Sequence, residues 1–443
     1  MPRHLVKIVL IVVSLMIVVS PVYAVEFQPL GFEPMSMGGA GVASARGSSA
    51  TYYNPALLAV HEHGMQVELS VGGGIREINV ARHIDALADA NIMDTINRIA
   101  NNALDPNSNT IEDRRNITTI KDTLRSISVK NGIQLFAPSG TLSAQMGTFG
   151  FGAYLISEAT AYAVIDPQRL DLIVKGQIDP NSIGYFEYNE VTNVYDASAD
   201  PNDYNARSIE YALDNKLTYL KLTGLAYHEI FLSHARTFTF KPGALSIGAA
   251  FKIMPGCTFD EKIAIDTESG EIDNEIEDRV KRDNSWGVDL GFLYRPKRFE
   301  KLSLGLVMKN INTPEFETAY GDTLKVKPQV RTGLKYDLWK DRLSMAIDMD
   351  LTNNSTFVPG YKSQYIGGGF NLHPCNWFCI RTGAMQNMQD SEEGTILTGG
   401  IGLGLKWLQL DVAAQLSTKK TVYDREKFWS SGRVQVSLVS KWR

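Results

Sequence analysis

A two-residue alternation of apolar and polar side chains, sustained over ten or so positions and repeated along the chain, limits the possible folds more than any other feature. In "SWGVDLGFLYR", Trp286, Val288, Leu290, Phe292 and Tyr294 share one face, with Gly287, Asp289, Gly291, Leu293 and Arg295 on the other. "RLSMAIDMDL" sets Leu343, Met345, Ile347, Met349 and Leu351 against Ser344, Ala346, Asp348 and Asp350. "WLQLDVAAQLS", "GRVQVSLVSKW", "ALSIGAAFKIM" and "PQVRTGLKYDL" keep the same period. Period two marks a strand whose two faces meet different surroundings. In these segments the apolar face carries no charge, while the other carries Lys252, Asp289, Arg331, Asp348, Asp350, Asp411 and Arg433.

A soluble sandwich would also bury one face. Length separates the two architectures. The segments run to about ten residues, the reach of a tilted strand across a bilayer, whereas globular strands are usually about five or six. Connections also alternate in length. Candidate strands run from 65–73, 131–137 and 142–156 through to 407–417 and 431–442, fourteen in all. Short joints fall at 138–141, 237–242, 296–300, 339–341, 373–375 and around 406; long ones fall at 74–130, 157–216, 255–282, 313–325, 353–361, 389–393 and 418–430. Strict alternation over an even number of strands is the pattern of an outer-membrane barrel with tight periplasmic turns. The expected fold is all-β: an antiparallel transmembrane barrel of about fourteen strands, in a Gram-negative type outer membrane.

The first 24 residues are set aside as a signal peptide: Arg3 and Lys7, the apolar run "IVLIVVSLMIVVS", then Val22-Tyr23-Ala24. Without those two cations the formal charge moves from −5 to about −7. The basic residues are scattered, which excludes a nucleic-acid stripe. The remaining chain divides into a plug at 25–64 and the barrel at 65–443. Within the barrel, 81–129 reads as a helical outer-loop insertion. Its first amphipathic stretch, 81–104, carries Ile84, Leu87, Ile92, Ile96 and Ile99; its second, 112–128, carries Ile117, Ile120, Leu124 and Ile127. A self-packed hairpin is the first reading of this pair, and a cap receiving an apolar ligand or partner the second. Residues 157–216 and the acidic segment 255–282 read as exposed loops, the latter solvated by its own charge, with calcium binding the lesser alternative.

No catalytic or nucleotide motif is present. His61-Glu62-His63 is read as a polar stretch in preference to a metal site, and Cys257, Cys375 and Cys379 as structural. Neither a metal nor a cofactor is expected. A barrel-embedded hydrolase would need a nucleophile beside His228 or His234, the only strand histidines, and is not favoured. Gly367, Gly369, Gly400, Gly402 and Gly404 fall on the charged, lumen-facing side, with Asp289, Asp348, Asp350, Arg331, Asp411 and Arg433. Strand glycines mark close backbone approach, so these five are expected to form a smooth wall against an internal plug.

The segment "MSMGGAGVASARGSSATYYNPALLAV" supplies that plug. It is small and nearly uncharged, and Asn54 can cap a short helix beginning at Pro55. Gly38, Gly39, Ala40, Gly41, Ala43, Ala50, Tyr53, Asn54, Pro55 and Ala56 resemble the N-terminal hatch of FadL-type outer-membrane channels, where a glycine-rich stretch leads to Asn-Pro-Ala. The same signature occurs in TraF-like conjugal-transfer and PorV-type secretion relatives, and the insertion at 81–129 looks more like the TraF-like branch. The resemblance implies a fourteen-stranded barrel whose hatch closes the lumen, with Gly38, Gly39, Gly41, Tyr52, Tyr53, Asn54, Pro55 and Ala56 as ligand or gating residues. It implies passive uptake of hydrophobic small molecules, of the long-chain fatty acid or hydrocarbon class. The alternative is a structural or interaction barrel serving conjugation or protein secretion. Expected partners are outer-membrane lipid, a hydrophobic ligand and envelope machinery, with a monomer favoured. Two departures stand out: the chain ends Trp442-Arg443, so its aromatic is penultimate, and the lumen is heavily charged.

Overall fold

The computed structural model describes residues 25–60, 64–81, 83, 86, 89–90, 94–95, 97–98, 111–127, 130–179, 182–189, 191–192, 194–196, 200–264, 279–339, 342–404, 407–423 and 426–442. Fourteen antiparallel strands close into a barrel. They are β1 (Met65–Ile78), β2 (Gly132–Leu135 continued by Ser139–Met146), β3 (Phe149–Val164), β4 (Tyr219–Phe240), β5 (Gly243–Ile263), β6 (Lys281–Pro296), β7 (Leu302–Lys309), β8 (Gln329–Trp339), β9 (Leu343–Asp350), β10 (Tyr365–Cys375), β11 (Phe378–Asn387), β12 (Thr395–Gly404), β13 (Leu408–Ser417) and β14 (Ser431–Trp442). Each strand pairs with its chain neighbours, and the seam closes where Met65 to Arg76 of β1 run against Trp442 to Ser431 of β14.

Burial decides the surroundings of the two strand faces. On β14 the apolar Val434, Val436 and Leu438 are exposed, while Arg433, Gln435 and Ser437 between them are buried. The same inversion holds for Ile347 against Asp348, Val412 against Asp411, and Ile253 against Lys252. A soluble protein would arrange these the other way; a barrel in lipid turns its apolar side outward and its polar side to the lumen. Trp339, Trp377, Trp407 and Trp442 are exposed together near the short-turn ends, as in the aromatic girdle of a membrane interface. No described helix is long and apolar enough to cross a membrane.

Several boundaries differ from the sequence expectation. The joint expected at 138–141 lies inside β2, whose two parts flank Phe136, Ala137 and Pro138; the turn is Gly147-Thr148, within the stretch expected as a strand at 142–156. Proline interrupts the ladder, which imitates a turn in sequence. β1 continues through Gly72-Gly73-Gly74 to Ile78, β3 runs on to Val164 and β5 to Ile263, into the connections expected at 74–130, 157–216 and 255–282.

The connection after β3 is a folded lobe rather than an open loop. Three short strands (Ile173–Asp179, Ser182–Asn189, Val194–Asp196) and two short helices (Pro201–Arg207, Ile209–Asp214) meet the helix Ile111–Ser126. Asp200 accepts from the Asn202 and Asp203 amides, and Ser208 from that of Tyr211, so each short helix has its cap. Ile117, Ile120 and Leu124 share a buried cluster with Leu172, Val174, Phe186, Ile209 and Leu213, and Ile127 packs against it. Ile84, Leu87, Ile92, Ile96 and Ile99 lie outside the described residues, as do residues 1–24, His61-Glu62-His63 and 265–278.

Candidate functional site

The hatch occupies the lumen. Every residue from Val25 to Ala59 is buried except Arg46. Its backbone is short helical pieces, Phe32–Ser36, Gly47–Ser49, Ala50–Tyr53 and Pro55–Ala59, joined by turns. Gly38 and Gly39 have φ of +67° and +77°, a region that glycine enters without a Cβ penalty. Asn54 makes the central junction. Its Oδ1 accepts from the Ala56 amide at 3.0 Å, while Nδ2 donates to the Val42 carbonyl at 2.9 Å and to Phe292 O of β6 at 3.0 Å. One side chain thus caps a turn, closes the glycine-rich loop and ties both to the wall.

The wall admits the hatch through glycines. A Cβ on Gly291 would lie 2.0 Å from Asn54 Oδ1, and one on Gly248 would lie 2.4 Å from the Pro55 and Ala56 backbone. Gly305 and Gly333 meet Val42 in the same way. On β10 and β11, Gly367, Gly369 and Gly383 accept the Met37-Gly38 backbone, and a Cβ on Gly38 itself would strike Ala384 O at 2.3 Å. Polar groups hold what the glycines admit. Asp348 Oδ2 accepts from the Gly41 and Val42 amides at 2.7 and 2.8 Å, and Thr398 Oγ1 accepts from Gly38 N and donates to Ser36 O. A carboxylate taking two amide protons is among the stronger hydrogen-bonded arrangements.

Charges surround this core. Arg76 donates from both Nη atoms to Glu26 at 2.8 and 2.9 Å and from Nε to Glu393 at 2.8 Å; Arg433 reaches Glu26 at 2.9 Å. Burial works against the Glu26 charge, yet Arg76 and Arg433 together hold its carboxyl below the ordinary range. Cations also cover the aromatic rings of the hatch: Arg331 over Phe27 at 4.0 Å, Lys309 over Tyr52 at 3.4 Å, and Arg381 over Phe32 at 4.7 Å. Removing one partner of such a buried pair costs about 3–5 kcal/mol, so the sheath of charges resists disassembly piece by piece.

Above the hatch the surroundings become apolar. Phe27, Tyr52 and Tyr53 join Tyr154, Tyr227 and Phe231 of the wall, and Phe316, Leu324, Val326 and Phe357 from the outer connections close over them. Tyr154 stacks on Phe231 at 4.6 Å and Tyr227 lies 5.5 Å from Phe316. A second apolar feature lies on the lipid side. Where Gly38 backs on to β10 and β11, the outer surface carries a hollow of about 570 Å³ at Gly368 and Ala384, rimmed by Ile347, Ile366 and Phe370.

A family model described as "F plasmid transfer operon, TraF, protein" matches residues 51–350, more than half of the chain. The chain belongs to this TraF family. Among solved structures, the TraF-family barrel is similar to the toluene transporter TodX of Pseudomonas putida, with 12% identity, 94% of this chain and 100% of that one covered, and a TM-score of 0.47. It is similar also to a Pseudomonas aeruginosa FadL homologue (11% identity, 95% and 99% covered, TM-score 0.46) and to the CymD monoaromatic hydrocarbon channel (11%, 94% and 99%, 0.47). No curated protein sequence matches the chain. The protein is thus a fourteen-stranded antiparallel barrel of the TraF family, with its apolar strand faces turned outward.

Against this geometry the residues singled out from sequence divide cleanly. In the TraF-family hatch, Gly38, Gly41, Asn54, Pro55 and Ala56 touch the wall or one another, Gly39 lies near the Met385 sulfur, and Tyr53 packs where a Gly41 Cβ would stand. Tyr52 donates to Gln28 O at 2.8 Å, and burial pushes its phenol well above the ordinary range. Gly367, Gly369 and Gly400 face the hatch, but Gly402 and Gly404 do not. Gly402 meets Asp411, Cys379 and Gln409, and Gly404 meets Gln409. The smooth wall of five glycines is therefore corrected: Gly402 and Gly404 lie below the plug, and Gly248, Gly291, Gly305, Gly333 and Gly383 complete its seat. Asp348, Arg331 and Arg433 reach the hatch. Asp350 backs Arg331 at 2.6 Å, Asp411 backs Arg381 at 2.8 Å, and Asp289 pairs with Lys252 at 3.0 Å within the wall. Arg76, Lys309, Glu393 and Glu26 were not legible as site residues. His228 and His234 are exposed on the lipid side, away from the lumen. The described residues contain no group of three or more metal-ligating side chains, and the three cysteines are free.

Proposed function

We propose that this TraF-family barrel admits hydrophobic small molecules, of the hydrocarbon or long-chain fatty acid class, across the outer membrane by passive diffusion. Its hatch is the stop that such a molecule meets. The observation that carries the reading is the buried aromatic cluster, covered by Phe316 and Phe357 of the outer connections, that packs on the outer side of the hatch. A molecule that displaces these loop side chains exchanges one apolar contact for another, at little cost in burial. Farther down, the buried Arg381–Asp411 pair offers an apolar molecule nothing, and the Arg76–Glu26–Arg433 group, near the outer strand ends, bars it from that side of the lumen. The hollow at Gly368 and Ala384 supports an exit sideways into lipid, because only backbone separates it from Gly38. The test is uptake of labelled toluene and laurate into liposomes by the intact chain, by F316A/F357A and by a form lacking residues 35–60. Saturable uptake by the intact chain, altered in F316A/F357A, is expected; its absence in every form overturns the reading.

A second reading has its own observation. The outer lobe has a core of its own, far larger than a minimal channel needs, and the family description refers to the F plasmid transfer operon. In this reading the barrel anchors the lobe for contact with envelope or conjugation machinery. Co-purification of such machinery, lost when the lobe is deleted and unaffected by F316A/F357A, would favour it.

A further inference from the structure

The hatch has a second face, turned to the periplasm, which the transport reading does not use. There the plug and the short-turn ends of the strands enclose a vestibule of about 250 Å³. Arg46 of the hatch, Arg381 of β11 and Lys441 of β14 all line it. Arg46 is the one exposed residue between Val25 and Ala59, and no carboxylate lies within ion-pair distance of it or of Lys441 among the described residues. The Lys441 ammonium donates to the uncharged Gln409 Oε1, at 3.0 Å.

Two fully enclosed side chains are left incomplete at the same place. Arg381 is 3% exposed; it gives Nη1 to Asp411 but its Nε has no partner. Asn371 is 2% exposed; it gives Nδ2 to Glu33 at 3.1 Å and its Oδ1 has no partner. Buried polar groups are rarely left without partners, and these two atoms make the wall behind the vestibule strongly polar. One group wants an acceptor and the other a donor. The carboxylates here are already engaged: Asp411 by Arg381 and Gln409, Glu33 by Asn371. Burial opposes the charge of Glu33, but Arg46, Arg381, Lys335 and His373 hold its carboxyl below the ordinary range, which reports a positive field in the vestibule.

We propose that this vestibule binds a phosphate group from the periplasmic side, held by Arg46, Arg381 and Lys441. A phosphate offers several acceptor oxygens to the guanidinium and ammonium groups. The phosphate bridges the hatch loop to β11 and β14, so its binding steadies the closed plug. Two sources supply this chemistry, free phosphate and the headgroup of a lipid in the inner leaflet, which Trp442 at the rim would meet. The proposal does not depend on what passes through the barrel.

The test is titration of the folded full chain with inorganic phosphate, followed by calorimetry and by protection of the hatch from added protease. Saturable binding is expected, weakened at least about tenfold in R46Q and in K441Q, each of which removes a charged hydrogen bond. Neither residue holds an ion pair, and the heat-modifiable mobility of the folded barrel checks that both variants fold. Repeating the titration in phosphatidylglycerol nanodiscs separates the sources. Apparent affinity that falls there assigns the site to the lipid headgroup, and affinity unchanged from detergent assigns it to soluble phosphate. No saturable phosphate binding, or equal affinity in R46Q, K441Q and the natural chain, overturns the proposal.

Discussion

Asn54 and Gly291 carry the tightest coupling between plug and wall. Replacing Asn54 by Ala removes a cap, worth about 1 kcal/mol, and leaves the buried Val42 and Phe292 carbonyls each short of one donor. The expected outcome is a barrel that still assembles, with a hatch cut by protease at least several-fold faster. In G291V the new side chain would stand where Asn54 Oδ1 lies, at 2.0 Å for its Cβ alone, so the hatch must shift. Planar-bilayer recordings of G291V are expected to show ion conductance steps that the natural chain lacks. Glu26 gives the pH dependence. A carboxyl held below its ordinary value stabilises the fold fully above its unfolded pKa, about 4.3, and loses that contribution as pH falls through the lower folded value. Hatch protection should therefore be flat from neutral pH down to about that unfolded value and decline below it as the folded value is approached, with E26Q lacking the step.

At the level of strands and loops, the outer lobe makes a prediction of opposite sign. Glu210, at the start of the helix Ile209–Asp214, accepts from Lys175 N at 2.9 Å; burial pushes its carboxyl up to about 7, with Asp214 adding to the rise. A raised carboxyl contributes most at acid pH and loses its contribution as pH rises through the folded value. Lobe stability, followed by hydrogen exchange at Val174 and Leu213, should fall between about pH 4.5 and pH 7 and become flatter in E210Q. The strands themselves were legible, because alternation over ten residues leaves few other folds. Their ends were less so. The first strand was expected to end at Gly73, yet β1 runs on through Gly74 to Ile78, and that early end is what hid Arg76. Pro138 reads as a turn because it cannot donate to a ladder, yet the chain resumes the same strand at Ser139. The lobe was read as loop because its core is assembled from residues distant in sequence, Ile117 with Leu172 and Ile209, and no local period announces such a contact.

For the whole molecule, plug and wall are separable in sequence but not in energy. The hatch motif was legible as small residues ending in a capped Asn-Pro-Ala turn, and alternation showed which wall glycines face inward. It could not show depth, which is why Gly402 was assigned to the seat and Gly291 was not. Deleting residues 35–60 would leave Asp348, Arg331, Lys309 and Arg381 lining a water-filled bore. The expected result is a permanently conducting pore whose conductance scales with salt, measured against the silent natural chain. The seam adds an order of events. Because β1 zips to β14, the circle closes only after the last strand arrives, and the plug lies upstream of β1. A folded plug is far too bulky to slip through a finished wall, so it must be gathered inside while the seam is still open. The strands then shut around a passenger already aboard, and an inheritable defect in the hatch would surface first as a failure of biogenesis.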